Sequence, residues 1–116
     1  MLGVGTGAFG AHALRMQISP DMLEVWQTAV LYQLVHALGV LAIAGLSTKL
    51  HQNLATAAAA FLLAGIVIFS GSLYLLVLSD LRVVGAITPV GGVSFMIGWL
   101  LLALAALRAG SKEDVA

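Results

Sequence analysis

From Leu54 to Ser79 the chain runs for 26 residues without a single charged side chain. Coiled as an α-helix, such a run reaches about 39 Å, more than the roughly 30 Å of a bilayer's hydrocarbon core. Two further apolar stretches, at 20–46 and 89–108, span roughly 30–40 Å by the same rise. Strands are excluded, because an open sheet cannot satisfy its edges in lipid and four short segments cannot close a barrel. Of the 116 residues, 61% are hydrophobic and 9% charged. Soluble domains carry about 25% charged residues, so this chain lacks the polar skin that water demands. The formal net charge of zero leaves no basic field for nucleic acid. The absence of cysteine removes disulfides and thiolate metal sites.

Punctuation divides the chain. Ser19-Pro20-Asp21 sets a capping hydroxyl before a proline at the first helical position, followed by an acid in the first turn. Thr88-Pro89 repeats the device, and Asn53 reads as a third cap. The expected helices are about 2–14, 20–46, 54–79 and 89–108, forming one transmembrane domain over 1–110 with a polar tail at 111–116. The first turns of the second helix are polar, and Trp26 there reads as a headgroup-level anchor. The first helix reaches only about 20 Å, two-thirds of a crossing. Ala11-His12-Ala13 has the form of a leader cleavage site, but no basic residue precedes the apolar run. With four crossings, Lys49, Arg108 and Lys112 share the side of the N-terminus, and Arg15 and Arg82 lie opposite. That balance favours both termini in the cytoplasm of a bacterial inner membrane.

Gly5-Thr6-Gly7-Ala8-Phe9-Gly10 spells G-x-G-x-x-G, the fingerprint of a dinucleotide loop. The loop works only after a strand and with an acid about twenty residues on. Two residues precede Gly3, and Val30 stands where the acid is needed. The glycines read instead as a packing face: Gly3 and Gly7, like Thr6 and Gly10, are four residues apart and let another backbone approach. Gly65 and Gly71 on the third helix, and Gly91 and Gly98 on the fourth, extend the set of helix-packing glycines.

Lipid penalises unpaired polar groups. His12, Tyr32, Gln33, His36, Ser70, Ser72, Tyr74 and Ser94 are therefore expected to face the protein interior, and with Gln27 they make up a candidate intramembrane polar layer. Tyr32, Gln33 and His36 fall near one stripe, which Ala29 and Gly39 extend. Counted from the loops at 15–19 and 80–87, His12 lies near the surface. Ser72, Tyr74 and Ser94 lie roughly 7–12 Å deep and His36 roughly 24 Å deep. This predicts polar bonding in one half of the bundle and a purely apolar other half. The leading reading of the layer is a set of interhelical hydrogen bonds. A proton or ion path through His36, Gln33 and Tyr32 is the alternative. Haem ligation by His12 and His36 would need them at one depth. His51, beside Lys49, reads as a solvated loop residue, and no hydrolytic constellation, metal set or cofactor site emerges.

Four blocks occur together and in order: GAFGAH at 7–12, WQTAVLYQLVHAL at 26–38, FSGSLY at 69–74 and ITPVGGVSFMIGW at 87–99. Jointly they resemble the YgdD-like family of small bacterial inner-membrane proteins, which is similar to a eukaryotic small transmembrane protein family. The resemblance implies a four-helix multi-pass protein and supplies no catalytic residues. It also implies a further apolar stretch ahead of GAFGAH, so either a late start codon or a truncated first helix is expected here. The combined expectation is an all-α, four-helix transmembrane bundle with a short first helix. Its expected role is non-enzymatic, exercised through the lipid bilayer, a membrane-protein partner or a second copy. The alternative is a small-solute or proton conductor using the polar layer around His36.

Overall fold

The computed structural model describes the backbone of residues 1–115 and the side chains of residues 1–109. The polar tail expected at 111–116 lies outside the residues whose side chains are described. Helix α1, Leu2–Phe9, runs on into a π-helical turn, Gly10–Leu14. Helix α2 spans Pro20–Gly45. Helix α3, Gln52–Gly65, continues through a second π-helical turn, Ile66–Ser70, into α4, Gly71–Ser79. A short 3-10 segment, Arg82–Ala86, leads into α5, Thr88–Val115. No strand occurs among the described residues. Among the described residues, three stretches are long and apolar enough to cross a membrane: Pro20–Gly45, Gln52–Ser79 and Arg82–Ala109. The short N-terminal helix accompanies them.

Local chemistry sets the helix ends. Pro20 starts α2, and the Met22 N–H donates to Ser19 Oγ at 3.2 Å, so one otherwise orphaned donor is satisfied. At α3 the cap is His51 and not Asn53. The helix begins at Gln52, and the Leu54 N–H donates to His51 Nδ1 at 3.4 Å. The His51 N–H donates to the Ala105 carbonyl at 3.0 Å, which ties this loop to α5. His51 is thus partly buried and engaged, where a solvated loop residue was expected. Helix α4 ends where Asp80 turns left-handed, at φ 56°. Aspartate tolerates that region better than most residues with a Cβ.

The α3–α4 span is the central member. It packs against α2 along one side and α5 along another, while α1 lies on α2. The molecule measures 59 × 26 × 15 Å. Its thin dimension exceeds one helix diameter of about 10–12 Å, and the two helices that flank α3–α4 also touch each other, since a Cβ on Gly39 of α2 would sit 3.0 Å from Trp99 of α5.

Packing divides the bundle lengthwise. Near the α2–α3 loop, Ile43, Ala55, Ala58, Leu62, Phe95 and Ala105 form the larger buried cluster. Near the α1–α2 loop, Leu14, Trp26 and Val77 form the smaller one. Trp26 is 3% exposed, so its indole is an interior residue and not the headgroup anchor expected from its polar neighbours. The physical reason is Gly10: the ring edge occupies the space where a Cβ would stand, 2.5 Å from Trp26 Cδ1.

Six of the seven packing glycines face a neighbouring helix. A Cβ on Gly3 would sit 2.6 Å from Leu34 Cδ2, and one on Gly7 would sit 3.3 Å from Val30 Cγ1. Gly65 receives the Phe95 ring, and Gly98 lies against Leu62, including its backbone nitrogen. Gly91 is the tightest in kind, because its neighbours are the backbone nitrogen and Cα of Phe69 in the second π-helical turn. Gly71 is the exception. Nothing lies within 4 Å of a Cβ placed there, so this glycine is not a contact face.

Candidate functional site: an intramembrane polar layer

Polar bonds clasp α1 to α2 and α4, and clasp the α3–α4 span to α2 and to α5. The Trp26 Nε1–H donates to the Thr6 carbonyl at 2.8 Å, joining α2 to α1. Thr6 Oγ1 lies 3.0 Å from Tyr74 Oη, and the Tyr74 hydroxyl donates to Gln33 Oε1 at 2.5 Å. Because Tyr74 gives its hydrogen to Gln33, the Thr6 hydrogen is shared between Tyr74 Oη and the Gly3 carbonyl, 3.1 Å away. This chain ties α1, α4 and α2 together.

Three serines complete the layer. Ser70 donates to the Ala29 carbonyl of α2 at 2.7 Å, and Ser94 donates to the Phe61 carbonyl of α3 at 2.7 Å. Ser72 donates to the Phe69 carbonyl at 2.9 Å, so the Thr88 hydroxyl, 2.6 Å away, supplies the hydrogen between those two oxygens. The carbonyls of a helix already accept one backbone N–H each; a second donor uses their remaining lone pair. Among the described residues, no buried side-chain nitrogen or oxygen lacks a partner. That full satisfaction matters in lipid, where an unpaired polar group costs several kcal/mol by estimate, about as much as a whole packing contact.

His36 lies near the level of Ser94, and not well below it as the count from the loops predicts, because its ring meets Phe95, the residue after Ser94. His36 is buried, and its Nδ1 lies 2.7 Å from the Tyr32 carbonyl one turn back. A carbonyl only accepts, so Nδ1 carries the hydrogen. The imidazole stacks on Phe95 with ring centres 3.5 Å apart, flanked by Tyr32 at 5.7 Å and Trp99 at 5.6 Å. Phe69 closes the group, 4.5 Å from Tyr32 and 5.5 Å from Phe95. The cluster fills the space between α2 and α5.

The structure thus joins Gln33 with Tyr74, and buries Ser70, Ser72, Ser94 and His36. Tyr32 is 39% exposed at the rim of the aromatic cluster. His12 and Gln27 are not brought in, because both lie on the exposed surface. His12 belongs to the π-helical turn beyond Gly10, whose neighbour is Trp26, and Trp26 stands ten residues before His36. That is about 15 Å along the helix, too far for two axial ligands of one haem. No group of three or more His, Cys, Asp or Glu side chains suited to a metal occurs among the described residues.

Thr6, Thr88 and the indole of Trp26 are partners that the polar-layer reading leaves out. Thr6 has a visible signal, since it shares the small-residue spacing with Gly10. Thr88 is masked by its place before Pro89, which suggests a cap for its own helix. Its hydroxyl instead reaches across to Ser72.

Comparison with known proteins places the chain among membrane proteins. A UPF0382 membrane protein of Staphylococcus epidermidis is 49% identical over 110 residues, covering 93% of this chain and 88% of the relative. The UPF0382 membrane protein YwdK of Bacillus subtilis is 47% identical over 109 residues, covering 93% of this chain and 89% of YwdK. No solved structure matches the chain. Residues 6–92, three-quarters of the sequence, match the family described as protein of unknown function (DUF423), and with these relatives the chain is a membrane protein of that family.

Proposed function

We propose that this chain is a non-enzymatic protein of the bacterial inner membrane that acts through lipid or protein partners, including further copies of itself. The observation that carries the reading is the use made of the polar layer. Tyr74, Gln33, Ser70, Ser72 and Ser94 spend their hydrogen bonds on other helices or on helix carbonyls. They hold the bundle in register, as polar residues do where no hydrophobic effect distinguishes helix from lipid.

In this reading α1 is a fourth, partial crossing. Gly3, Gly7 and Gly10 contact Leu34, Val30 and Trp26 in turn, so α1 runs beside α2 through the layer of polar clasps. Lys49, Arg108 and Lys112 then mark the cytoplasmic side, with both termini on it. Self-association is supported by the thin shape, in which no more than 28% of each span's most apolar window is fully buried within one copy. Native mass spectrometry from mild detergent should report a defined oligomer or retained lipid.

A flux measurement separates this reading from the alternative. Reconstituted liposomes carrying the protein should dissipate a pH gradient no faster than protein-free liposomes. A pH-dependent flux that His36→Ala abolishes would overturn the reading in favour of a conductor.

A further inference from the structure

Beside His36 the gap between α2 and α5 opens into a pocket of about 390 Å³, lined by Leu31, Tyr32, Val35, His36 and Trp99. Its rim is on the outer surface, since Leu31 and Val35 are 58% and 44% exposed. His36 lies 16 residues from Pro20 and 9 from Gly45, about 24 Å and 14 Å along the helix, so the pocket faces hydrocarbon rather than water. The volume falls within the roughly 300–1,000 Å³ of small-molecule sites.

The chemistry of the pocket is selective. The Tyr32 carbonyl fixes the hydrogen on Nδ1, which leaves Nε2 of the neutral imidazole as an acceptor. Among the described residues no hydrogen bond is made to Nε2, and it is not a buried orphan, so it is open at the pocket. A molecule placed there from the bilayer must therefore bring a donor. The walls favour an aromatic ring: of the lining side chains, Tyr32 and His36 are nearly parallel at 11°, and Trp99 is tilted at 56° to His36.

We propose that this pocket binds a lipid-soluble phenol or hydroquinone, its ring between Tyr32 and Trp99 and its hydroxyl donating to His36 Nε2. The proposal names one ligand class for a protein read above as acting through lipid or protein partners. It stands apart from the flux test, because a conducting protein would overturn that reading without touching the binding result.

The test uses the full chain in lipid nanodiscs and measures probe bound in excess of empty nanodiscs. The probes are a short-chain alkyl hydroquinone, the matching quinone, and the hydroquinone dimethyl ether. The hydroquinone should bind saturably, about tenfold or more tighter than the other two, which cannot donate. His36→Phe keeps a ring and removes the acceptor, so the hydroquinone should fall to the level of the ether. Leu31→Trp fills the exposed mouth without touching His36 and should exclude all three. Equal binding of the three probes, no saturable binding, a preference that survives His36→Phe, or full binding in Leu31→Trp would each overturn the proposal.

Discussion

The two halves of this bundle solve one problem by different means. Towards the α1–α2 and α4–α5 loops, helices are joined by Trp26, Thr6, Tyr74, Gln33, Ser70, Ser72 and Thr88 through directional bonds. Towards the α2–α3 loop, Ile43, Ala55, Ala58, Leu62 and Ala105 join them mainly by shape. The Ser94 bond to the Phe61 carbonyl and the His51 N–H bond to the Ala105 carbonyl mean that this half is not the purely apolar one the sequence predicts. In lipid, apolar side chains gain nothing merely by leaving the solvent, so both halves must offer something that lipid tails cannot. One half offers partners for polar atoms. The other offers surfaces flat enough for dense contact. Glycine serves both halves, which is why Gly10 accommodates an indole while Gly98 accommodates Leu62.

The sharpest way to break the comparison is at Gly91, where the halves meet. A Cβ there meets the Phe69 backbone, which cannot rotate away as a side-chain tip can. Gly91→Val should destabilise the bundle by about 3 kcal/mol or more, read from unfolding in mixed detergent micelles. In the apolar half, Leu62 is fully buried. Leu62→Ala should cost about 2 kcal/mol, the low end for such a cavity, because the unfolded helices stay in lipid and the transfer contribution shrinks. Gly71 predicts the opposite sign. Its missing Cβ meets open space within a helix, so Gly71→Ala should stabilise by about 0.5–1 kcal/mol. Were Gly71→Ala to destabilise as Gly91→Val does, the division of glycines into contact and non-contact positions would fail.

These contrasts also measure what the residues alone disclose. Ser19-Pro20 announces the start of α2 because a cap and a fixed φ are local properties, and the length of the uncharged runs follows from the bilayer. The small-residue faces are legible for the same reason: i,i+4 spacing puts residues on one side of any helix. What depends on a second helix is hidden. Trp26 stands between polar residues and looks interfacial, yet its orientation is decided by Gly10 sixteen residues earlier. Ser70 and Ser72 point about 200° apart on a regular helix. Both are buried because α3–α4 is flanked by α2 on one side and α5 on another. Gly71, between them, faces the remaining open side. The same dependence explains His51: the position of a cap is decided by where the backbone turns, and His51 is held there by the bond from its N–H to Ala105. The π-helical turns at Gly10–Leu14 and Ile66–Ser70 leave no mark in composition.

The central claim is that the intramembrane polar groups serve as clasps between helices. A double-mutant cycle on the Tyr74–Gln33 bond, which links α4 to α2, tests it most directly. Tyr74→Phe, Gln33→Leu and the double variant should be compared by unfolding in mixed micelles. The expected coupling is about 0.6 kcal/mol, with an upper value near 1.7 kcal/mol, the range known for hydrogen bonds between membrane helices. Additive effects with no coupling would contradict the claim.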